Sequence, residues 1–288
     1  MSERKAKLDD AQIEDLVRRL EGRSGLVFEG ERRAWLAAQA EDYARSRRVA
    51  PADLLRAVGA SAAEYEGLLD RVLASEGKFR RYAAIFDVFE RRVLPEMHMK
   101  KFWDRPRALR VWSAGCGAGE EAYSIAISVL ETLASLDAWN IELLGCDLRR
   151  HAIQTAERGV YPRSAFNSMP PEQIENYFAR AGEMLMVKPR LRGMVKFACA
   201  NLLEGEYMGR FDCIFCLDVL GWLARPRRAH LLERFHEHLE PGGYLLLAPG
   251  EAATMQSYGR FAAVEREGEI VLQKPAGISR NLAVAGGM

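Results

Sequence analysis

The 288-residue sequence lacks several features that would assign it to a specialised class of protein. No run of residues approaches the roughly 18 apolar residues that a membrane-spanning helix needs. Opposite charges nearly cancel, with 41 Lys and Arg against 40 Asp and Glu, so no basic excess indicates nucleic-acid binding. The N-terminus has no apolar stretch behind its charges, unlike a secretory signal. We therefore expect a cytoplasmic, monomeric protein that binds neither nucleic acid nor membrane.

The five cysteines and five histidines form no recognisable metal or disulfide pattern. An odd number of cysteines without a secretory signal favours reduced thiols. Cys213 and Cys216 have the spacing of a redox or zinc pair, but they lie in F-D-C-I-F-C-L-D, which is typical of a buried strand. Because residues three apart on a strand point to opposite faces, we predict no metal site there.

The chain changes its pattern after about a hundred residues. Helical periodicity with capping residues covers the first part, at about 10–22, 31–48, 51–58, 62–75 and 79–97. Strands are then predicted at 108–114, 141–147, 194–200, 211–217 and 242–248, with helices at 120–135, 149–158 and 226–239. Nearly all-apolar strands suit a parallel sheet that is covered on both faces. The predicted fold class is α/β, with an N-terminal all-helical domain before a doubly wound, Rossmann-like sheet.

These patterns give the following expected domain organisation. The helical domain spans 1–97, a polar linker spans 98–107, and the α/β domain spans 108–275. Between about 160 and 193 a turn-rich stretch, a short helix and the segment M-L-M-V (184–187) interrupt the alternation and predict an inserted subdomain, with 184–187 as an added antiparallel strand. A closing hairpin is predicted at 261–274, and the small, Gly-rich tail at 276–288 is predicted to be disordered.

A glycine loop between a strand and a helix is the strongest indication of a ligand. The segment reads R-V-W-S-A-G-C-G-A-G-E-E-A-Y-S-I-A-I from Arg110, and missing side chains at Gly115 and Gly117 let a ligand approach the backbone. Glu120 and Glu121 then fall in the first helical turn, where a dinucleotide fold would bind a pyrophosphate. Two carboxylates repel an anion and attract a cation, which favours S-adenosylmethionine over NAD. The alternative is that they only complement the helix dipole.

Ligands of open α/β sheets lie beyond the carboxyl ends of the strands, so the residues there are further candidates. Asp147 ends the second strand and can accept hydrogen bonds from ribose hydroxyls, or can only cap the next helix. Asn201 and Leu202 follow the third strand and suit the edge and face of an adenine. Asp218 follows the fourth strand, and we assign it to the same cofactor-binding set.

Together these segments resemble one family, the CheR-type chemoreceptor methyltransferases, which transfer a methyl group from S-adenosylmethionine to receptor glutamates. The most specific pieces are W-S-A-G-C-G-A-G-E-E-A-Y-S-I-A (112–126), A-N-L-L-E (200–204), F-D-C-I-F-C (211–216) and L-E-P-G-G-Y-L-L-L (239–247). The resemblance implies a class I methyltransferase fold, cofactor contacts at Glu121, Asp147, Asn201 and Leu202, and S-adenosylhomocysteine as a product. It also implies that a chemoreceptor cytoplasmic domain is the partner.

The sequence departs from the family pattern around the methyl-donor pocket. Where the family has Asn-x-Thr-x-Phe-Phe-Arg, this chain reads S-E-G-K-F-R-R (75–81), which keeps Arg81 and has Gly77 in place of Thr. Where the family has Arg-Asn-Val-x-Ile-Tyr, it reads L-D-V-L-G-W (217–222). Arg81 is the expected catalytic residue, holding the acceptor or the cofactor carboxylate. Trp222 is expected to pack on the cofactor or to be a large aromatic at the edge of the core.

Two functions therefore remain open at this stage. The resemblance implies carboxyl O-methylation of chemoreceptor glutamates. The alternative is a catalytically degenerate relative that binds S-adenosylmethionine or a signalling partner without methyl transfer.

Overall fold

The computed structural model describes residues 7–74, 76–205, 209–255 and 258–276, so the tail predicted to be disordered lies outside the described residues except for Ala276. Helices occupy the chain before the first strand: α1 (Asp10–Ser24), α2 (Glu31–Ser46), α3 (Pro51–Ala60), α4 (Ala62–Val72), α5 (Ala83–Val88) and α6 (Leu94–Lys100), with a π-helical turn (Phe89–Val93) between the last two. Asp9 caps α1 through a reciprocal hydrogen-bonded box with Gln12. The helix ends at the left-handed Gly25, three residues beyond the predicted Gly22.

The helix predicted over 79–97 is interrupted in the structure. Residues Phe79 to Tyr82 form turns because Arg80 has a left-handed φ of 51°. The backbone N–H of Phe79 donates to the carbonyl of Ala165 at 2.9 Å, and that of Arg80 donates to Ser124 Oγ at 3.0 Å. These bonds hold the segment against the α/β part of the chain, which periodicity alone does not reveal. At its other end α6 continues to Lys100, into the predicted linker.

The strands follow the predicted positions closely. They are β1 (Arg107–Ala114), β2 (Trp139–Asp147), β3 (Val160–Pro162), β4 (Phe178–Ala181), β5 (Met184–Val187), β6 (Val195–Cys199), β7 (Phe211–Cys216), β8 (Leu239–Leu247), β9 (Ala262–Arg266) and β10 (Glu269–Gln273). Within the described residues, seven of them form one sheet in the order β6-β2-β1-β7-β8-β10-β9. The first five strands in this order are parallel, and β9 and β10 are the predicted antiparallel hairpin. Strand β8 begins at Leu239, three residues before the predicted start at 242.

The remaining helices connect these strands and cover both faces of the sheet. They are α7 (Glu120–Thr132), α8 (Arg150–Arg158), α9 (Pro171–Tyr177), α10 (Pro189–Arg192), α11 (Arg225–His238) and α12 (Pro249–Met255). The predicted insertion is a small antiparallel sheet in the order β3-β5-β4, which confirms the added strand at Met184–Val187. The sequence did not predict β3 or β4. The short helix α9 ends at Tyr177 because the chain turns into β4 at Phe178.

Two hydrophobic cores lie on opposite faces of the main sheet. On one face α5 and its π-helical extension pack on the strands, with Phe86 and Phe89 against Phe215 at ring-centroid distances of 5.7 and 4.9 Å. On the other face α1–α4 share a core with α11. Cys213 belongs to the first core and Cys216 to the second, as their strand spacing predicted. The helices before β1 are thus divided between both faces.

The lengths and compositions of the helices decide whether any of them can span a membrane. Among the helices formed by the described residues, none combines the length and the apolar character needed to cross a lipid bilayer.

Candidate functional site

The cavity relevant to function lies at the carboxyl ends of β1, β2 and β7, and its volume is about 500 Å³. This volume falls in the usual range of small-molecule sites. The segment that follows α4 closes it from the side of the N-terminal helices. All nine site residues predicted from the sequence border this one space: Arg81, Gly115, Gly117, Glu121, Asp147, Asn201, Leu202, Asp218 and Trp222. Of the pocket motif at 75–81, Ser75 lies outside the described residues.

The glycine loop forms one wall of the cavity with its backbone. Gly115, Gly117 and Gly119 all have positive φ, at 88°, 59° and 100°. The N–H groups of Gly115 and Cys116 both donate to the carbonyl of Cys146 at 2.8 Å, which ties the loop to the end of β2. A Cβ at Gly115 would lie 2.5 Å from Val219 Cγ2. Side chains at these positions would therefore strain the backbone or fill the cavity wall.

Asp147 connects three parts of the site. Its Oδ2 accepts from the N–H of Gly117 at 2.9 Å, and its Oδ1 accepts from the backbone N–H and the Nε of Arg149 at 2.9 and 3.0 Å. Arg149 also donates through Nη1 to the carbonyl of Leu73 at 3.1 Å, so the ion pair reaches the segment after α4. Since a carboxylate offers about four acceptor positions, one on Oδ2 remains for a ribose hydroxyl.

Glu120 is buried beside the cavity, with 8% of its surface exposed, and Glu121 is partly buried. Burial raises the pKa of Glu121 to about 8, although Ser113 Oγ donates to its Oε1 at 2.6 Å and opposes the shift. Burial likewise raises the pKa of Glu120. Glu120 occupies the space beside Gly77, where a Cβ would lie 2.1 Å from its Oε1. The acidic helix start predicted from the sequence thus faces the cavity, in an environment that favours an approaching cation.

An arginine, a tyrosine and an aspartate that border the cavity are in mutual contact. Arg81 Nη2 lies 3.0 Å from Asp218 Oδ2, and the Tyr82 hydroxyl donates to both oxygens of Asp218 at 2.7 Å. Burial and the neighbouring Asp218 carboxylate raise the pKa of Tyr82 to about 12. Asp218 has a left-handed φ of 61°, and its N–H donates to Glu251 Oε2 at 3.1 Å. The sequence analysis missed Tyr82, which it treated as part of a helix.

Trp222 packs against the N-terminal helices as well as bordering the cavity. The Arg32 guanidinium lies 4.2 Å from the centre of its ring, and Phe28 meets it edge-on at 6.1 Å. Arg32 also donates to the carbonyl of Gly221 at 2.5 Å. The cation that contacts this indole is therefore a side chain of the protein, which supports the interpretation of Trp222 as an aromatic at the edge of the core.

Asn201 and Leu202, in the loop after β6, border the cavity. Asn201 Oδ1 accepts from the N–H of Leu203 at 3.1 Å, and its amide nitrogen lies 3.4 Å from the carbonyl of Ser24 in α1. Leu202 belongs to the core that contains α1–α4. These contacts fix the orientation of the loop after β6 at the border of the cavity.

The donor set of the cavity suits S-adenosylmethionine better than a dinucleotide. The carboxyl groups of Glu120 and Glu121 suit a cationic ligand better than a pyrophosphate, and Asp147 has a further acceptor position for a hydroxyl group. The apolar side chains of Leu148 and Leu202 border the same space. In the described part of the chain, no group of three or more His, Cys, Asp or Glu side chains could hold a metal ion.

Comparison with known proteins agrees with this assignment. Residues 75–268 match the family described as CheR methyltransferase, SAM binding domain. The chain is similar to chemotaxis protein methyltransferase 1 of Pseudomonas aeruginosa, with 34% identity over 194 residues that cover 65% of this chain and 69% of the relative. It is also similar to the chemotaxis protein methyltransferase of Vibrio anguillarum, with 29% identity over 256 residues that cover 86% and 91% of the two chains.

Proposed function

The chain belongs to the CheR methyltransferase family, whose domain binds S-adenosylmethionine, and we propose that it methylates glutamate side chains in the cytoplasmic domains of chemoreceptors. The observation that carries this proposal is the charge arrangement of one cavity. The carboxyl groups of Glu120 and Glu121 and the guanidinium of Arg81 all border this one space. A cationic methyl donor therefore meets carboxyl groups whose ionised form it favours, and an anionic acceptor meets the charged Arg81, in the same space.

Each part of the cavity has a proposed task. Gly115 and Gly117 admit the cofactor to the backbone, Glu121 attracts its cationic groups, and Asp147 accepts from the ribose. Asn201 and Leu202 hold the adenine. Arg81 binds the acceptor carboxylate, since its planar, permanently charged guanidinium suits a carboxylate.

The reaction makes small demands on acid–base chemistry. When bound, S-adenosylmethionine supplies a methyl carbon that bonds to the acceptor oxygen as the carbon–sulfur bond breaks, with the electron pair leaving on sulfur and no proton transferred. A glutamate is already ionised at neutral pH, with an ordinary pKa of about 4.3. The residues of the cavity then contribute by alignment and by excluding water, and alignment alone lowers such a barrier by roughly 7–11 kcal/mol.

The decisive experiment is methyl transfer from radiolabelled S-adenosylmethionine to a purified chemoreceptor cytoplasmic fragment. We expect label in the fragment that alkali releases as methanol, because carboxyl methyl esters hydrolyse and N-methyl groups do not. Alkali-stable label would contradict glutamate methylation. Tight binding of S-adenosylhomocysteine without any transfer would instead indicate a protein that binds the cofactor but does not methylate the fragment.

A variant of Arg81 tests the acceptor site directly. We expect Arg81→Met to lower kcat/KM for the fragment by about tenfold to a hundredfold, the range for losing a hydrogen bond to a charged group. The affinity for S-adenosylhomocysteine, measured by calorimetry, stays within about threefold of the wild type. The control is Arg18→Met, which removes the same charge from the exposed face of α1.

Cellular location and assembly complete the proposal. A protein that methylates receptor cytoplasmic domains works in the cytoplasm, and one cavity built within one chain is sufficient for a monomer. Fractionation of cells and analytical ultracentrifugation test these two points.

A further inference from the structure

The contact between Tyr82, Arg81 and Asp218 has the chemistry of a carboxylate-binding site. A guanidinium forms an ion pair with one carboxylate at 3.0 Å, and a phenol hydroxyl donates to the same carboxylate at 2.7 Å. The donors are adjacent in sequence and come from the turn before α5, whereas the carboxylate follows β7, 136 positions later in the chain. The carboxylate that these two side chains hold therefore belongs to the protein itself, and all three side chains border the cavity.

The internal carboxylate is held weakly enough to be replaced. The Arg81 side chain is 50% exposed and the Asp218 side chain is 39% exposed, and ion pairs of this exposure contribute little to stability. The backbone of Asp218 is anchored independently, because its N–H donates to Glu251 Oε2. Its side chain can thus leave the two donors while the loop after β7 keeps its conformation.

On the basis of the proposed function, we propose that the Tyr82 hydroxyl and Arg81 together bind the acceptor carboxylate. Asp218 is then an internal competitor that the acceptor displaces. The exchange replaces one carboxylate by another on the same two donors. It needs no change of protonation, and the cost is limited to releasing a partly solvated ion pair. Asp218 then sets the affinity for the acceptor and is not part of the cofactor site.

The sharpest test is Asp218→Asn, because asparagine also tolerates a left-handed backbone and keeps the size of the side chain. The substitution removes the competing charge. We expect the KM for the receptor cytoplasmic fragment to fall by about threefold to fivefold, the factor that corresponds to the ~1 kcal/mol upper value of an exposed ion pair. The affinity for S-adenosylhomocysteine stays within about threefold of the wild type. A purely structural role for Asp218 would raise the KM or leave it unchanged.

Tyr82→Phe tests the second donor. It keeps the ring and removes only the hydroxyl, so we expect the KM for the fragment to rise by about fivefold to tenfold. In the Asp218→Asn/Tyr82→Phe double variant, the decrease in KM caused by Asp218→Asn is smaller, because Arg81 alone then binds the acceptor carboxylate. Strictly additive effects of the two substitutions on KM would contradict a shared site.

Two controls separate this inference from the proposed function. Asp137→Asn removes an equal charge from an exposed residue in the turn before β2, at the opposite end of the sheet, and leaves KM unchanged. Calorimetry of the fragment with protein saturated in S-adenosylhomocysteine reports acceptor binding without turnover. If the wild type transfers no methyl group but Asp218→Asn binds the fragment more tightly, the proposed function fails and the inference holds. Equal binding by both proteins, or a tenfold loss of S-adenosylhomocysteine affinity in Asp218→Asn, overturns the inference.

Discussion

Asp147 at the end of β2 accepts a hydrogen bond from the backbone N–H of Gly117, with 2.9 Å between Oδ2 and nitrogen. One carboxylate thus holds the glycine loop in place while its remaining acceptor position faces the cavity. The sequence analysis offered two roles for Asp147, a ribose ligand and a helix cap. In the structure Asp147 accepts from the N–H of Arg149, the residue before α8, and from none of the free N–H groups of the first helical turn, so it orients the chain that enters α8 but does not cap the helix.

The first prediction concerns this residue. We expect Asp147→Ala to weaken binding of S-adenosylhomocysteine by roughly 1–3 kcal/mol, the range for losing hydrogen bonds to a charged group. Calorimetry measures the change. The substitution also removes the carboxylate with which Arg149 forms an ion pair. Arg149→Gln is therefore the matched control, because it breaks the same ion pair and keeps the carboxylate of Asp147. An equal loss of affinity in both variants would mean that Asp147 acts only through Arg149.

The second prediction concerns the protonation of Glu121. Its pKa of about 8 means that the carboxyl group is largely protonated at pH 7, and a bound cation favours the ionised form. Binding of S-adenosylhomocysteine, which carries an ammonium group, should therefore release close to one proton at pH 7, and the affinity should rise as the pH increases toward about 8. Calorimetry in buffers of different ionisation enthalpy counts the proton. Proton release that persists in Glu121→Gln would contradict this assignment.

The same group affects the stability of the protein without cofactor. The folded state keeps a proton on Glu121 that the unfolded chain loses near its ordinary pKa of 4.5. Because the unfolded chain binds fewer protons in this interval, the free energy of unfolding decreases as the pH rises from about 4.5 to 8. We expect Glu121→Gln to reduce this decrease, by an amount on the order of 1 kcal/mol for each unit of pKa shift. Denaturant unfolding at pH 5 and pH 8.5 tests it, and an unchanged pH dependence would refute it.

A further prediction concerns Gly119, the glycine immediately before α7. Gly119 has a φ of 100°, and a Cβ there would lie 2.7 Å from Ala156 Cβ and 2.9 Å from Tyr161 Oη. We expect Gly119→Ala to destabilise the protein by about 2–4 kcal/mol, through backbone strain and through displacement of these neighbours. Gly182→Ala is the matched control, since Gly182 also has a positive φ but has nothing within 4 Å of its Cβ position. Equal unfolding free energies for the two variants would show that only backbone strain matters.

The last prediction concerns Trp222, which stands where the family pattern has a tyrosine. Because Trp222 is packed by Arg32 and Phe28, a smaller aromatic ring keeps the cation–π contact and opens space in the cavity. We expect Trp222→Tyr to keep or increase the rate of methyl transfer. Trp222→Ala, which removes the contact altogether, is expected to lower the stability by about 2 kcal/mol. A tenfold fall in the rate of Trp222→Tyr with unchanged stability would give the indole a role of its own in the reaction.

Much of the fold follows from local patterns in the sequence. The alternation of apolar strands with amphipathic helices predicted β1, β2, β6, β7 and β8 to within three residues at their ends, and the final hairpin as well. The prediction failed where long-range contacts override periodicity. Residues 79–82 have helical spacing, but hydrogen bonds to Ala165 and Ser124 hold them in turns. Strand β5 was recognised because M-L-M-V is a continuous apolar run, whereas β3 (V-Y-P) and β4 (F-A-R-A) are equally short and include a proline or an arginine.

The candidate site shows the same division between sequence and structure. The sequence by itself determined which residues border the cavity, because strand ends and a glycine loop are local features that converge at one edge of a parallel sheet. Only the tertiary structure decided what those residues contact. It placed Tyr82 and Arg81 on Asp218, and Arg32 on Trp222, and it removed enough solvent from the Glu121 carboxyl group to raise its pKa to about 8. Contacts between residues far apart in the chain depend on how the helices and strands pack, and so does the loss of solvent around a charged group. A local sequence pattern therefore does not predict them.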